Sequence, residues 1–272
     1  MNKIQTWFYA VALLAAVTFF SASNALAGGQ SLYEPRIFIF AEQQQGVQEG
    51  QGQQDELDEE LLEGEFGEET PEEAEQAGDI ISDPIIGFNR SMFGFNDKLY
   101  FWVLKPAARG WSVIPEKGRI GVRNFFDNLG WPVRFFNCLF QAKFKGAGSE
   151  ISRFFVNTTV GIVGVFDPAK KWLHLETYEE DFGQTLGVWG MGNWFYLNIP
   201  FVGPLTVRDG IGTIPDMALN PVTFIPGAGI VQTINTTSLK IGEYEDFKES
   251  SLDPYIAIRN AYVQHRQSKV EK

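Results

Sequence analysis

The sequence predicts a mostly α-helical, membrane-embedded domain, and three observations predict it. An export signal precedes the domain, several helices are too apolar for a small soluble protein, and Asp-Pro pairs stand where two of those helices begin. The domain follows a long acidic stretch that reads as unstructured.

The signal comes first. Lys3 supplies a short positive region, and Trp7 to Phe20 is an apolar run broken only by Thr18. Such a run is short for a bilayer span. It ends in Ala25-Leu26-Ala27, the small-x-small pattern that a signal peptidase cuts, which places cleavage between Ala27 and Gly28. An uncleaved anchor helix is the alternative. The chain has one cysteine, Cys138, so it forms no internal disulfide and no thiolate metal cage. Set among Phe135, Phe136, Leu139 and Phe140, that thiol reads as a small hydrophobe.

The formal charge of −12 is unevenly distributed. Fifteen acidic and no basic residues lie between Glu42 and Asp79, whereas from Ile80 onward eighteen acidic face twenty basic residues. The acidic stretch is rich in Gln, Glu and Gly and offers too little apolar surface to offset the entropy of ordering it. Residues 28–79 are therefore expected to be a disordered acidic linker, 80–265 one globular unit with a single core, and 266–272 a charged tail. His265 falls at the frayed end of this arrangement.

Within the globular unit, Asp83-Pro84 reads as an N-cap followed by proline at the first helical position. The helix it opens, Ile85 to Leu104, has apolar groups on nearly every side. Trp131 to Lys145 forms a cleaner pattern, with Phe135, Phe136, Leu139, Phe140 and Phe144 on one face and Arg134, Asn137, Gln141 and Lys145 on another. Ser149 to Thr159 repeats it, with Ile151, Phe154 and Phe155 opposed to Glu150, Arg153 and Asn157. Asp253-Pro254 opens a last helix carrying Tyr255, Ile258 and Tyr262 on one side, with Arg259 and Arg266 elsewhere. Phenylalanine faces flanked by Lys and Arg suit a membrane interface, and they equally suit an ordinary core. Between these helices, Gly183 to Gly212 is dense in glycine, which predicts a loop with a short hairpin near Phe195 to Pro200.

The sequence offers little for catalysis. His174 and His265 are the only histidines, no G-x-S-x-G or H-E-x-x-H occurs, and no phosphate-loop pattern follows any strand. Glu176, Glu179, Glu180 and Asp181 read as a solvated acidic turn. The sequence therefore predicts no enzyme, no metal and no cofactor, and the acidic tract of an exported chain disfavours nucleic acid.

Several segments resemble the MlaA/VacJ family: Asp83-Pro84-Ile85-Ile86-Gly87-Phe88-Asn89-Arg90; Arg153-Phe154-Phe155-Val156-Asn157-Thr158 followed by Gly161, Gly164 and Asp167; Glu180 to Gly190; Leu197 to Asp209; and Asp253-Pro254-Tyr255. They occur in the family's order. The resemblance implies a ring-like bundle of amphipathic helices in the periplasmic leaflet of the outer membrane. It implies a channel that withdraws mislocalised phospholipids from the outer leaflet, a porin trimer as membrane partner, and a periplasmic lipid carrier of the Mla type. On that footing Asn89, Arg90, Arg153, Asn157, Arg208 and Asp209 are candidates to line the headgroup route. Phe135, Phe136, Phe140, Phe144, Phe154 and Phe155 are candidates to face lipid.

Two departures from the family pattern stand out. Gly28-Gly29 follows the expected cleavage point where the family commonly carries a lipidated cysteine, which predicts attachment without an acyl anchor. Asn193-Trp194-Phe195 is bulkier than the family's loop. The alternative reading is a periplasmic binding or scaffold protein that moves no lipid; a lipid hydrolase would depend on His174 or His265.

Overall fold

The computed structural model describes residues 80–271. The signal, its cleavage point at Ala27 and Gly28, and the acidic linker lie outside the described residues.

Helix α1 (Ile86–Leu99) starts two residues later than Asp83-Pro84 suggested, and Ile85 occupies its N-cap without a side-chain bond. Asp83 is engaged elsewhere. Its carboxylate accepts from Asn89 Nδ2 at 2.7 Å and from the Tyr255 hydroxyl, with Arg259 Nη1 3.4 Å away. The chain then runs through a π-helical turn (Tyr100–Leu104) directly into α2 (Lys105–Trp111). Pro106 has no N–H to give to the preceding turn, and the Lys105 N–H reaches back five residues to the Tyr100 carbonyl. The helix expected to stop at Leu104 is thereby extended.

Helix α3 (Glu116–Leu129) leads into α4 (Trp131–Phe140) and α5 (Phe144–Thr159). One helix was expected from Trp131 to Lys145. The chain instead breaks at Ala142, whose φ is 57°, and Lys143 N–H closes on the Cys138 carbonyl at 2.8 Å. Phe144 and Lys145 therefore start the second helix, and α4 and α5 pack closely against each other. Asp167 caps the short α6 (Pro168–Leu173), and Asp181 caps α7 (Phe182–Val188), each accepting a backbone N–H of the first turn.

The glycine-rich region contains an antiparallel hairpin, β1 (Tyr196–Ile199) and β2 (Gly203–Thr206), with Tyr196 opposite Thr206. Two asparagines of α1, seven residues apart on one face, fasten it. Asn89 donates to the Tyr196 carbonyl at 3.1 Å and accepts from Asn198 N–H at 2.9 Å. Asn96 donates to the Ile199 carbonyl at 3.0 Å and accepts from Phe201 N–H at 2.8 Å. These amides satisfy strand groups that would otherwise be buried unpaired. Helix α8 (Val207–Leu219), capped by Thr206, then lies against α7 so closely that a Cβ at Gly212 would fall 2.3 Å from the Gly183 nitrogen. A 3₁₀ turn (Pro221–Phe224), α9 (Ala228–Leu239), α10 (Glu243–Ser250) and α11 (Pro254–Glu271) complete the chain.

Asp253 accepts from Tyr255 and Ile256 N–H groups and caps α11 as expected. The charged tail expected from residue 266 is corrected: α11 continues through Glu271, and Arg266 and Arg259 are buried beside Tyr255, Ile258 and Tyr262. The architecture is mostly α-helical with one short hairpin. No described helix is long and apolar enough to cross a membrane.

Candidate functional site

The polarity of α4 and α5 is inverted relative to an ordinary core. On α4, Arg134, Asn137 and Cys138 are buried, while Phe136, Leu139 and Phe140 are exposed. On α5, Glu150, Arg153 and Asn157 are buried, while Phe144 is 70 % and Phe155 60 % exposed. Phe135 and Phe154 are half-buried, the latter stacked on Trp131 at a centroid distance of 4.7 Å. Among the described residues, buried polar and charged side chains outnumber buried apolar ones. That is the reverse of the usual arrangement.

Burying so many polar groups is tolerable because they satisfy one another. Arg134 Nε donates to Glu150 Oε2 at 2.6 Å, and Tyr178 N–H donates to Glu150 Oε1 at 2.8 Å. Asn137 donates to Asp216 Oδ1 at 2.9 Å and accepts from the Thr185 hydroxyl at 2.8 Å. Asp216 also accepts from Phe182 N–H at the start of α7. Burial, and then the neighbouring Asp181 charge, pushes the Asp216 carboxyl up to about 8 against the opposing pull of those amides.

Arg134 and Asp181 from this network reach the wall of a cavity of about 380 Å³ lined by residues of α3, α4, α5, α6, α7, α9 and α11. Arg123, Arg134, Arg153, Lys170, Arg266 and Lys269 contribute cationic side chains to its wall. Asp127, Asp167, Glu179, Glu180 and Asp181 contribute acidic ones, so the lining is strongly charged but nearly balanced. The Arg123 side chain is exposed at this wall.

The residues singled out from sequence divide between this cavity and other places. Arg153 and Asn157 line it. Arg153 donates to Asp167 Oδ2 at 2.8 Å and to the Leu175 carbonyl, while Asn157 donates to Asp167 Oδ1 at 2.9 Å and accepts from Ala169 N–H. Burial alone would raise the Asp167 carboxyl, but bonds from Arg153, the Lys170 amide and Asn157 hold it below the usual carboxylate range.

The other four lie outside the wall. Asn89 clamps the hairpin. Arg90 is exposed, paired with Asp253 at 2.6 Å and placed 4.7 Å over the Tyr255 ring. Arg208 and Asp209 are buried in an ion-pair cluster behind the cavity: Arg266 donates to both Asp181 and Asp209, and Tyr262 donates to Asp209 Oδ2 at 2.6 Å. Asp181 is therefore not part of a solvated turn, because capping α7 and pairing with Arg266 require it inside. Glu180 also pairs, with Lys143 at 2.8 Å.

Arg134, Lys170, Gln184, Gln232 and Arg266 are lining residues that sequence reasoning did not select. For Arg134 a signal existed, the Arg134, Asn137 and Gln141 stripe on α4.

His265, also on the cavity wall, is half-buried between Arg266 and Lys269. Burial and those two positive charges depress its pKa from 6.5 to about 4. A histidine lowered in the folded state binds fewer protons than in the unfolded state, so its contribution to stability is present above pH 6.5 and is lost as pH falls toward 4. The expected result is that His265→Gln flattens this part of the stability profile, read as the difference in unfolding free energy between variant and parent from pH 7 to pH 4. An unchanged difference across that range would refute the assignment.

A helical body that encloses charge and displays phenylalanine is the inverse of an ordinary soluble core. The chain belongs to the MlaA lipoprotein family, which matches residues 81–269. It is 35% identical over 195 residues to the intermembrane phospholipid transport system lipoprotein MlaA of Shigella flexneri, an alignment covering 67% of this chain and 76% of that one. The protein of the same description from Escherichia coli K12 is 33% identical over 194 residues, with the same coverage of 67% and 76%. A solved structure described as the structural basis for maintenance of bacterial outer membrane lipid asymmetry superposes with a TM-score of 0.63 at 32% identity, covering 70% of this chain and 99% of that one.

Proposed function

We propose that this chain withdraws mislocalised phospholipids from the outer leaflet of the outer membrane, its charged cavity carrying the headgroup while its phenylalanine faces lie in the periplasmic leaflet. Membership of the MlaA family gives the broad role, a non-catalytic component of phospholipid transport that maintains outer-membrane lipid asymmetry. The observation that carries the finer reading is the inverted polarity of α4 and α5. In water, exposed rings such as Phe144 and Phe155 forfeit roughly 25 cal/mol for each Å² left unburied; in hydrocarbon they do not. A headgroup leaving water needs compensating charges of both signs, which Arg123, Arg134, Arg153 and Lys170 facing Asp127, Glu179 and Glu180 supply.

In this reading the helices form a ring held in one leaflet, with a trimeric porin beside it in the membrane and a soluble Mla-type carrier accepting lipid on the periplasmic side. The phenylalanine faces of the helices hold the protein in that leaflet. The glycine-rich segment around the hairpin changes conformation to gate the cavity.

Membrane fractionation tests the reading. The processed protein is expected to stay with outer membranes through carbonate and high-salt washes and to copurify with phospholipid. Release into the soluble fraction would favour a periplasmic scaffold that moves no lipid.

A further inference from the structure

Between α5 and α6 the chain exposes Val160 (55 %), Ile162 (62 %), Val163 (54 %) and Phe166 (55 %), although a turn of this kind is ordinarily polar. Ile162 and Val163 also have left-handed backbones, with φ of 53° and 57°, a conformation that crowds a β-branched side chain. The turn is nonetheless well fastened. Val163 N–H donates to the Thr158 carbonyl at 3.0 Å, Gly164 N–H to the Asn157 carbonyl at 2.8 Å, and Phe166 N–H to the Gly161 carbonyl at 2.9 Å.

The base of this turn is the wall of the cavity. Asn157 and Asp167 flank it in sequence, and both line the cavity. From α3, the lining residue Asn124 donates to the Val165 carbonyl at 3.2 Å. Gly164, with φ of 88°, presses on the lining residue Asn128 so closely that a Cβ there would lie 2.4 Å from the Asn128 Cβ.

We propose that residues 160–166 form the lip over which the acyl chains of a phospholipid lie while its headgroup occupies the cavity. The proposal rests on the headgroup reading given above and adds where the chains go. A diacyl phospholipid joins a charged group to hydrocarbon through a glycerol a few atoms long, so the chains must find apolar surface at the rim of the charged site. This turn is such a surface, joined to the rim by its own backbone. The nearby exposed cations Arg123 and Lys170 complement the headgroup phosphate. A turn selected for folding alone would carry glycine or asparagine at the two left-handed positions.

The test uses the full chain in vesicles of phosphatidylglycerol containing a phosphatidylethanolamine with a diazirine in one acyl chain, the labelled residues being mapped by mass spectrometry after irradiation. Labelling is expected on residues 160–166 and on Phe144 and Phe155. In the Arg123→Glu, Lys170→Glu double variant, which alters exposed side chains only, labelling of 160–166 should fall about tenfold while that of Phe144 and Phe155 persists. Equal labelling of the turn in parent and double variant would overturn the lip, because the turn would then be touching bulk lipid alone. Absence of label at 160–166 with label retained at Phe144 would also overturn it. Loss of label at all these positions would overturn the membrane reading beneath it. As a second check, Val163→Gly relieves the left-handed strain and should raise Tm by about 2–4 °C while labelling of the turn drops severalfold. A fall in Tm would assign Val163 to packing instead.

Discussion

Replacing Arg266 by methionine is expected to destabilise the protein by about 3–5 kcal/mol, measured as the free energy of guanidinium unfolding in mild detergent. Arg266 is buried between Asp181 and Asp209, donating to Asp181 at 2.8 Å and to Asp209 at 2.7 Å through Nη2. Its removal takes away the cation that bridges the two buried carboxylates, although Arg208 stays 3.3 Å from Asp209 Oδ1. The damage spreads because Asp181 caps α7, Asp209 belongs to the first turn of α8, and Arg266 lies on α11.

The pH dependence of that loss is also specified. Burial would raise the Asp181 carboxyl, but the Arg266 charge and hydrogen bonds hold it below the ordinary carboxylate range. A depressed carboxylate contributes stability that is present above its unfolded pKa and lost as pH falls through its folded one. The gap between parent and variant should therefore narrow at acid pH, where the carboxylates of the variant take up protons. A gap independent of pH would mean that Arg266 acts by packing alone.

Glu150→Leu should have an effect of similar size, about 3–5 kcal/mol, because it leaves the Arg134 guanidinium buried without its carboxylate. The double variant Arg134→Met, Glu150→Leu should recover most of that loss, since apolar side chains of similar volume can replace a buried pair at little cost. It should still transfer less lipid than the parent, because a cation has been removed from the cavity wall. Recovery of both stability and transfer would limit the pair to a structural role. Failure to recover stability would show that the Tyr178 amide, which donates to Glu150, matters more than the ion pair.

The sequence made the faces of α4 and α5 legible but not which face points inward. Amphipathic spacing fixes an axis between a polar and an apolar side; whether the apolar side meets a core or lipid depends on what surrounds the helix. The phenylalanine faces were thus identifiable, while Arg134 looked like a surface stripe rather than part of an interior wall. Arg266 was missed for a different reason. It follows Tyr255, Ile258 and Tyr262 at helical spacing, yet its neighbours Lys269, Glu271 and Lys272 made the segment read as a solvated tail. Asp83 was misread because a helix-capping signature and a buried acceptor use the same residue type, and the contact that decides between them, Tyr255, lies 172 residues away. The break at Ala142 had no sequence signature of the glycine kind, and the π-helical turn before Pro106 was visible only as the proline itself. Asn89 and Arg208 were conspicuous because their motifs are polar and specific, but the structure uses the first to hold backbone and the second to balance charge.

The proposed role requires a charged interior and a phenylalanine exterior that faces lipid. It is tested most directly by spin labels placed singly at positions 123, 140 and 155 in a Cys138→Ala background, with the protein in bilayers and collision with oxygen compared with collision with a water-soluble nickel chelate. Labels at Phe140 and Phe155 are expected to collide mainly with oxygen, as in hydrocarbon, and a label at Arg123 mainly with the chelate. Chelate-dominated collisions at Phe140 and Phe155 would contradict the proposed role.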